Sequence, residues 1–194
     1  MILVVTDGGG TLLNTLWTDL VNSEWHDWRG SGRSEDRLLK PEWQNEFLMR
    51  WQFTASVPAS AEDIEEMQIL RRELRSFAEH LTSGGQMTTD LVDMINRKMM
   101  EGGPVTRLLK QQDEHFSIVL EPVANGWKKV LAEVVADFAQ ALVNSGGSRI
   151  RICDNTDCRW VFYDDTRNRS KRFCDDKMCG NLMKVRRFRE RKKK

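Results

Sequence analysis

The amino-acid sequence predicts an α+β fold: a mostly helical N-terminal domain with one β-hairpin, followed by a small C-terminal module. Three observations carry this prediction. Apolar residues recur at helical spacing through most of the first 144 residues. All four cysteines fall between positions 153 and 179. A Ser-Gly-Gly-Ser stretch at 145–148 ends a helical pattern and marks a boundary. We therefore divide the chain into residues 1–146 and 147–194.

The elements of the N-terminal part are predicted from apolar periodicity and from end signals. Pro41 suits the first turn of a helix, and Ser60 is a good N-cap because Glu62 and Asp63 follow it. The segment VTRLLKQQDEHFSIVL has two β-prone runs around a polar centre. The predicted elements are a helix over 11–28, a helix from Pro41, a helix from Ser60 to Ser83, a helix over 88–100, a hairpin over 105–120 and the longest helix over 123–144. Residues 1–10 could contain a short strand.

Composition restricts the class of protein. The chain has 194 residues, of which 40% are hydrophobic and 30% charged, as in soluble globular proteins. No apolar run approaches the ~20 residues of a membrane span. The start, MILVVTDGGG, has no basic segment and does not resemble a signal peptide. We therefore expect a cytoplasmic protein without membrane contact, in a compartment where cysteines are more often metal ligands than disulfides.

Charge divides the chain at the same boundary. Residues 149–194 contain 16 Lys and Arg against 7 Asp and Glu, a balance of +9. The whole chain has 30 and 29, which leaves 14 and 22 for residues 1–148, a balance of −8. This asymmetry suggests that the basic part faces a polyanion, although a solvated basic tail would have the same composition.

Tryptophan is concentrated near the N-terminus, with five of seven between Trp17 and Trp51. Trp25, His26, Trp28 and Arg29 lie close together, with Asp27 between them. This cluster could form a pocket that stacks a ligand on indole rings and holds it with polar side chains. The alternative is that the rings belong to the core, because large aromatic side chains bury well.

The cysteines form two C-x4-C pairs, Cys153 with Cys158 and Cys174 with Cys179, separated by 15 residues. This pattern suits one tetrahedral Zn²⁺ with four thiolate ligands. Disulfides and an iron–sulfur cluster are the other options. A catalytic zinc is disfavoured because four thiolates leave no position for water.

The segments around the two pairs predict a treble-clef-like arrangement. RIRIC and RWVFY read as the strands of a hairpin around the first pair, and GNLMKVRRFRER reads as a helix after the second. A module of about 45 residues buries little surface on its own, and structural zinc can supply ~10–16 kcal/mol of apparent binding energy.

Basic residues follow the cysteines in a loop, RNRSKR, and in the final helix, close to Trp160, Phe162 and Tyr163. Such a surface on a zinc module predicts contact with DNA phosphates. The other interpretations are zinc as a pure fold staple and a protein partner with an acidic face. The candidate nucleic-acid-binding residues are Arg167, Arg169, Lys171, Arg172, Lys184, Arg186, Arg187 and Arg191.

Two stretches carry a family resemblance. TRNRSKRFC, then C-x4-CGN and KVRRFRERK, resemble the CGNR zinc finger of bacterial proteins. LVNSEWHDWRG resembles the opening of the ABATE domain that precedes that finger. The resemblance implies a stress-induced transcriptional regulator with a ligand-sensing N-terminal domain and a DNA-contacting zinc finger. It implies zinc ligation by the four cysteines, places Arg167, Asn168, Lys171 and Arg172 in the basic loop, and adds Asn22 to the candidate ligand residues.

This sequence departs from the family pattern at two positions. Leu182 stands where CGNR has arginine, and Phe173 replaces a tryptophan. If the missing arginine binds a phosphate, Lys184 or Arg186 would have to replace it. We expect a DNA-binding, ligand-sensing regulator and no catalysis. A protein-interaction adaptor and an enzyme built around His26 and Asp27 are the rival functions, and the oligomeric state, with a homodimer among the options, stays open.

Overall fold

The computed structural model describes residues 3–7, 10–103, 105–112, 115–122 and 125–193, with side chains for 15–103 and 125–193. Within these ranges, no helix is both long and apolar enough to cross a bilayer. The α-helices described are α1 Leu16–Val21, α2 Pro41–Trp51, α3 Ala61–Thr82, α4 Thr89–Glu101, α5 Gly126–Ser145 and α6 Asn181–Lys193. The strands described are β1 Leu3–Asp7, β2 Gly10–Asn14, β3 Glu24–His26, β4 Ser34–Asp36, β5 Val105–Gln112, β6 His115–Pro122, β7 Ile150–Ile152 and β8 Val161–Tyr163.

The strands pair in chain order as antiparallel two-stranded sheets, β1 with β2, β3 with β4, β5 with β6 and β7 with β8. The predicted fold class is confirmed, including the hairpin over 105–120, in which Val105 pairs with Pro122 and Gln112 with His115. The N-terminal part also contains the hairpins β1–β2 and β3–β4, which the sequence pattern did not predict as pairs. A two-stranded sheet needs little periodic sequence, so short strands are easily missed.

Local signals set the ends of α2 and α3 as predicted. Pro41 occupies the first turn of α2. Before α3, the Ser60 hydroxyl accepts a hydrogen bond from the Asp63 amide at 3.1 Å, and the Asp63 carboxylate accepts one from the Ser60 amide at 3.3 Å. This reciprocal cap satisfies two amides that the first turn leaves free. With 22 residues, α3 is longer than α5 with 20, so the prediction that the helix over 123–144 is the longest is wrong.

The helix predicted over 11–28 is much shorter in the structure. α1 covers only Leu16–Val21, whereas Leu12 and Leu13 belong to β2. After α1 the chain extends into β3, where Trp25 pairs with Glu35 of β4. Apolar residues in LLNTLW fit both a helix and a strand followed by a helix, and strand pairing decides between them.

One hydrophobic core joins the two parts of the chain. It contains the buried faces of α1, α3 and α5, with Trp17 packed edge-on against Phe138 at 5.0 Å between ring centroids. The same core includes Ile150 of β7 and Val161 of β8, both fully buried. The C-terminal hairpin is therefore packed into the core of the N-terminal part.

Buried polar side chains fix how these elements meet. Asp19 of α1 accepts hydrogen bonds from Arg50 at 2.7 Å and from the Trp51 indole at 2.8 Å. Arg71 of α3 binds Asp36 through two bonds of 2.6 and 2.7 Å. Asp19 and Arg71 thus each have a charged partner, as a low-dielectric interior requires.

Candidate metal centre and nucleic-acid interface

The β7–β8 hairpin positions the first cysteine pair. Cys153 follows β7, and its amide donates to the Trp160 carbonyl at 2.9 Å. The intervening turn is closed by the Cys158 amide, which donates to the Asn155 carbonyl at 2.9 Å. The turn-forming sequence DNTD thereby directs both thiols to the same side of the hairpin.

The second pair lies where the chain enters α6. Cys174 follows the buried Phe173, and Cys179 lies in a π-helical turn, Asp176–Gly180, that continues directly into α6. The Asp175 carboxylate caps this turn by accepting from the Met178 amide at 2.7 Å. The hairpin and the helix start therefore each supply one pair, as predicted, and the positive end of the helix dipole favours thiolate at Cys179.

The four thiols form a compact set. Their Sγ atoms lie within 4.8 Å of one another, and all four cysteines are buried. Cys158 and Cys174 are 3.7 Å apart at Sγ, and Cys174 and Cys179 are 3.9 Å apart. Four sulfurs at ~2.3 Å from one Zn²⁺ in a tetrahedron lie about 3.8 Å apart, so these residues fit one zinc ion. A disulfide would need about 2.05 Å, and all four cysteines are free.

Thiol chemistry explains why this set needs a cation. Hydrogen bonds from the neighbouring thiols, Cys158 first, strongly lower the pKa of Cys153. The hydrogen-bonded Cys153 thiolate and burial then raise the pKa of Cys158 and of Cys174 far above the usual range. Ionising all four thiols together therefore requires a bound positive charge.

A second layer of contacts surrounds the sulfurs. The Asn155 side-chain amide donates to Cys179 Sγ at 3.4 Å and to the Trp28 carbonyl at 2.8 Å. The aromatic side chains of Phe162, Phe173 and Trp28 pack around the cysteines. Such outer contacts orient thiolates and limit water access. Asn155 was not singled out by sequence, although its position inside the first cysteine turn is a usable signal.

The basic loop after β8 keeps several cations on the surface. Arg167 is exposed, and the Arg169 guanidinium donates to Ser148 Oγ at 2.7 Å. Arg172 donates to Asp154 at 2.6 Å, with both side chains exposed. The Lys171 ammonium lies 5.6 Å from the centre of the Phe162 ring.

A cleft of about 410 Å³ separates this loop from the start of α6. Lys171, Arg172 and Lys184 supply cations to its lining, and Ser170 supplies a hydroxyl. Asp176 adds one carboxylate. The structure thus brings together three of the predicted nucleic-acid-binding residues from two separate elements.

The arginines of α6 are divided between surface and interface. Arg187 and Arg191 are exposed, and each Nε donates to the carbonyl four residues earlier. Arg186 instead donates to Asp157 at 2.7 Å and to the Arg29 carbonyl at 2.9 Å. At Gly30 an added Cβ would meet both Arg186 and Asp157 at 2.8 Å, and φ is +89°. Glycine is favoured there because other residues rarely adopt this φ, and a side chain would also displace the ends of Arg186 and Asp157.

The residues predicted to bind a ligand mostly face the zinc module. Asn22 is buried, donates to the Val161 carbonyl at 2.8 Å and accepts from the Val161 amide at 2.9 Å. Trp28 packs beside the cysteines, and the Arg29 guanidinium lies 4.6 Å from the Trp28 ring centre. The Trp25 ring has the Arg37 guanidinium at 5.9 Å. The side chain of Asn22 is therefore hydrogen-bonded within the protein rather than directed at a ligand.

His26 has a different position. It lines a cleft of about 420 Å³ between the N-terminal part and the zinc hairpin. Burial lowers its pKa, although Glu24, 3.4 Å away, acts in the opposite direction. The other lining residues include Arg75, Glu79 and Arg159, none of which was a candidate site residue from the sequence. Arg159 directly follows a cysteine ligand, and no sequence pattern connects it with Arg75.

The fold and the site define a two-part protein with a helical N-terminal domain and a four-cysteine zinc finger. A CGNR zinc finger model matches residues 149–192. The model of the ABATE family, described as "putative stress-induced transcription regulator", matches residues 14–145. The chain therefore belongs to the ABATE family and ends in a CGNR zinc finger, as its motifs suggested. A search of curated proteins gives no match.

Proposed function

We propose that the chain is a cytoplasmic transcriptional regulator that contacts DNA through its zinc finger and senses a small molecule through its N-terminal part. In this proposal residues 147–194 form the DNA-contacting module and residues 1–146 the sensing domain. Zinc has a structural role, with Cys153, Cys158, Cys174 and Cys179 as its ligands. The family description, a transcription regulator, supports the coarser part of this function.

The observation that carries the DNA contact is the basic cleft of Lys171, Arg172 and Lys184 beside the zinc centre. Lysine, arginine, aspartate and glutamate give residues 149–194 a net charge of +9. Four thiolates on Zn²⁺ add a net −2, so the zinc-loaded module keeps a net charge of about +7. Phosphates bind lysine and arginine by charge, and hydroxyls such as that of Ser170 donate to phosphate oxygens. Contact of this kind supplies affinity that is independent of base sequence.

Leu182 stands where the family motif has arginine, and Lys184 and Arg186 are the two residues that could take over its role. Arg186 is engaged with Asp157 and with Arg29. Lys184 lines the basic cleft. We therefore assign the replacement of the family arginine to Lys184.

The experiment is a titration of a fluorescent DNA duplex with the zinc-loaded protein over a series of salt concentrations. We expect affinity to fall steeply with salt, because phosphate contacts release counterions. Replacing Arg167, Lys171 and Arg172 with alanine should weaken binding to all duplex sequences by about tenfold or more. The salt slope should fall by about one for each cation that no longer reaches a phosphate.

The matched control removes three exposed cations from the N-terminal part, as Arg72→Ala, Arg97→Ala and Lys128→Ala together. This variant has the same change in net charge and should retain DNA affinity. Equal weakening by both triple variants would show a net-charge effect, and DNA affinity unaffected by the loop variant would overturn the proposed interface.

A protein-interaction adaptor is the second candidate function, and α6 favours it. Val185 and Phe188 lie three residues apart on α6 and are 45% and 52% exposed. Apolar side chains in such positions suit a protein partner. Replacing both with serine should leave DNA affinity unchanged if DNA is the partner. A zinc-loaded protein that binds no duplex at low salt would favour the adaptor.

A further inference from the structure

A cleft lies at the junction between the N-terminal part and the zinc hairpin. Its volume is about 420 Å³, within the range of small-molecule sites. Glu24, His26, Arg75 and Glu79 line it from the N-terminal side. Ile152, Cys153, Thr156 and Arg159 line it from the zinc hairpin. One wall therefore contains a proposed zinc ligand.

The two arginines of this cleft form no close ion pair in the part of the chain that the structure describes. Arg75 donates to the carbonyls of Arg159 and Val21, at 3.0 and 3.3 Å. Among the residues that the structure describes, neither the Arg75 nor the Arg159 guanidinium forms an ion pair. Burial lowers the pKa of Arg75, while the charges of Glu24 and Glu79 act in the opposite direction.

The same lining contains two carboxylates. Glu24 lies 3.4 Å from His26, and Glu79 is exposed at the cleft. Two guanidiniums and two carboxylates leave the lining nearly neutral in charge. The two carboxylates would repel a dianion. A molecule with one charge of each sign could pair its anionic group with the guanidiniums and its cationic group with the carboxylates.

We propose that this cleft binds a small zwitterion, an aminocarboxylate of amino-acid size. Its carboxylate pairs with Arg75 and Arg159, and its ammonium group with Glu79 and Glu24. Charge-assisted hydrogen bonds of this kind are short and directional, and guanidinium suits a carboxylate with two parallel bonds. The inference rests on the sensing part of the proposed function and names its site and ligand class.

Binding here would connect the ligand to the zinc module. Arg159 directly follows Cys158, and its carbonyl already holds Arg75 across the junction. A carboxylate between the two guanidiniums would tighten that junction, because it stabilises the arrangement in which both face one cleft.

The test is calorimetric titration of the full zinc-loaded chain with L-alanine, L-glutamine and L-glutamate. Propionate and propylamine, which have one charge only, and inorganic phosphate serve as comparison probes. We expect saturable binding of at least one amino acid, at least tenfold tighter than propionate, propylamine or phosphate. Arg159→Asn, which suits the φ of +56° at that position, and Glu79→Gln should each weaken binding by about tenfold.

The control variant is Arg72→Asn, an exposed change on the same helix as Arg75 that leaves the cleft lining intact. It should bind the amino acid as the original chain does. No binding of any amino acid, equal binding of propionate or phosphate, or full affinity in Arg159→Asn would each overturn the proposal. DNA titrations of the same preparations keep the outcomes separate, because loss of DNA contact alone contradicts the regulator function and leaves the cleft intact.

Discussion

Asn22 illustrates how a motif residue acquires its role from the residue it meets. Its side chain donates to the carbonyl of Val161 and accepts from the amide of Val161, which lies 139 positions later in the chain. These are the two hydrogen bonds that a neighbouring strand would form. Both the amide nitrogen and the amide oxygen of Asn22 are hydrogen-bonded, and the residue is 2% exposed. A buried side chain of this kind substitutes for a missing strand at the edge of β8.

Asn22→Ala should therefore destabilise the protein by about 2 kcal/mol or more, because the amide and carbonyl of Val161 lose their partner while buried. Chemical denaturation with circular dichroism measures the change. The control, Asn96→Ala, alters an exposed residue of α4 and should cost less than about 0.5 kcal/mol. Equal stability of the two variants would contradict the role of Asn22.

At the scale of elements, the Arg71–Asp36 pair attaches α3 to β4. Arg71 is 6% exposed, and it also donates to Ser23 Oγ at 3.1 Å. Burial alone would raise the pKa of Asp36, but the hydrogen bonds and charge of Arg71 hold that pKa below its ordinary value. The pair therefore stabilises the fold only while Asp36 is ionised.

Asp36→Asn should cost about 3 kcal/mol at neutral pH, because it leaves Arg71 buried without an anion. The lowered pKa of Asp36 determines how its contribution to the free energy of unfolding changes with pH. Stability from Asp36 is present above the unfolded value of about 3.9 and is lost as pH falls through the lower folded value. The difference in unfolding free energy between the original chain and Asp36→Asn should narrow below about pH 4.

Urea unfolding at several pH values measures this difference, and zinc release in acid affects both proteins alike. Glu65→Gln, an exposed change on α3, is the control and should leave the pH dependence unchanged. A difference that stays constant between neutral pH and pH 3 would contradict the assignment to Asp36.

For the whole molecule, the zinc module and the N-terminal part stabilise each other. Ile150 and Val161 are fully buried in the main core. Across the junction, Asn155 connects Cys179 with Trp28, and Arg186 connects α6 with Arg29. Losing the metal should therefore affect residues far from the cysteines in sequence.

Chelation of zinc in reducing buffer should increase hydrogen exchange in the segment 22–30 as well as in 150–180. The reason is that repulsion among thiolates, or their protonation, disrupts the sulfur cluster that Asn155 and Trp28 contact. Metal analysis should give about one zinc per chain before chelation, and zinc added back should restore protection. The helix α4 provides the internal control and should change least. Exchange confined to 150–180 would contradict the proposed mutual support.

The sequence predicted most of the helices and the cysteine cluster, and the reasons are local. Pro41 and the Ser60 cap act within one turn, so α2 and α3 begin where expected. The first helix was predicted too long because a periodic pattern alone does not exclude the strand β2. The cleft could not be predicted, because it combines Arg75 with Arg159, which are 84 positions apart.

By itself, the sequence determined the starts of α2 and α3, the four-cysteine set and the division of charge, since capping, ligand spacing and composition act over short stretches of chain. Only the tertiary structure decided that the LVNSEWHDWRG segment lies against the zinc module. That arrangement depends on contacts between residues 139, 127 and 157 positions apart. Such contacts arise from packing two surfaces together, and no local pattern specifies which surfaces meet.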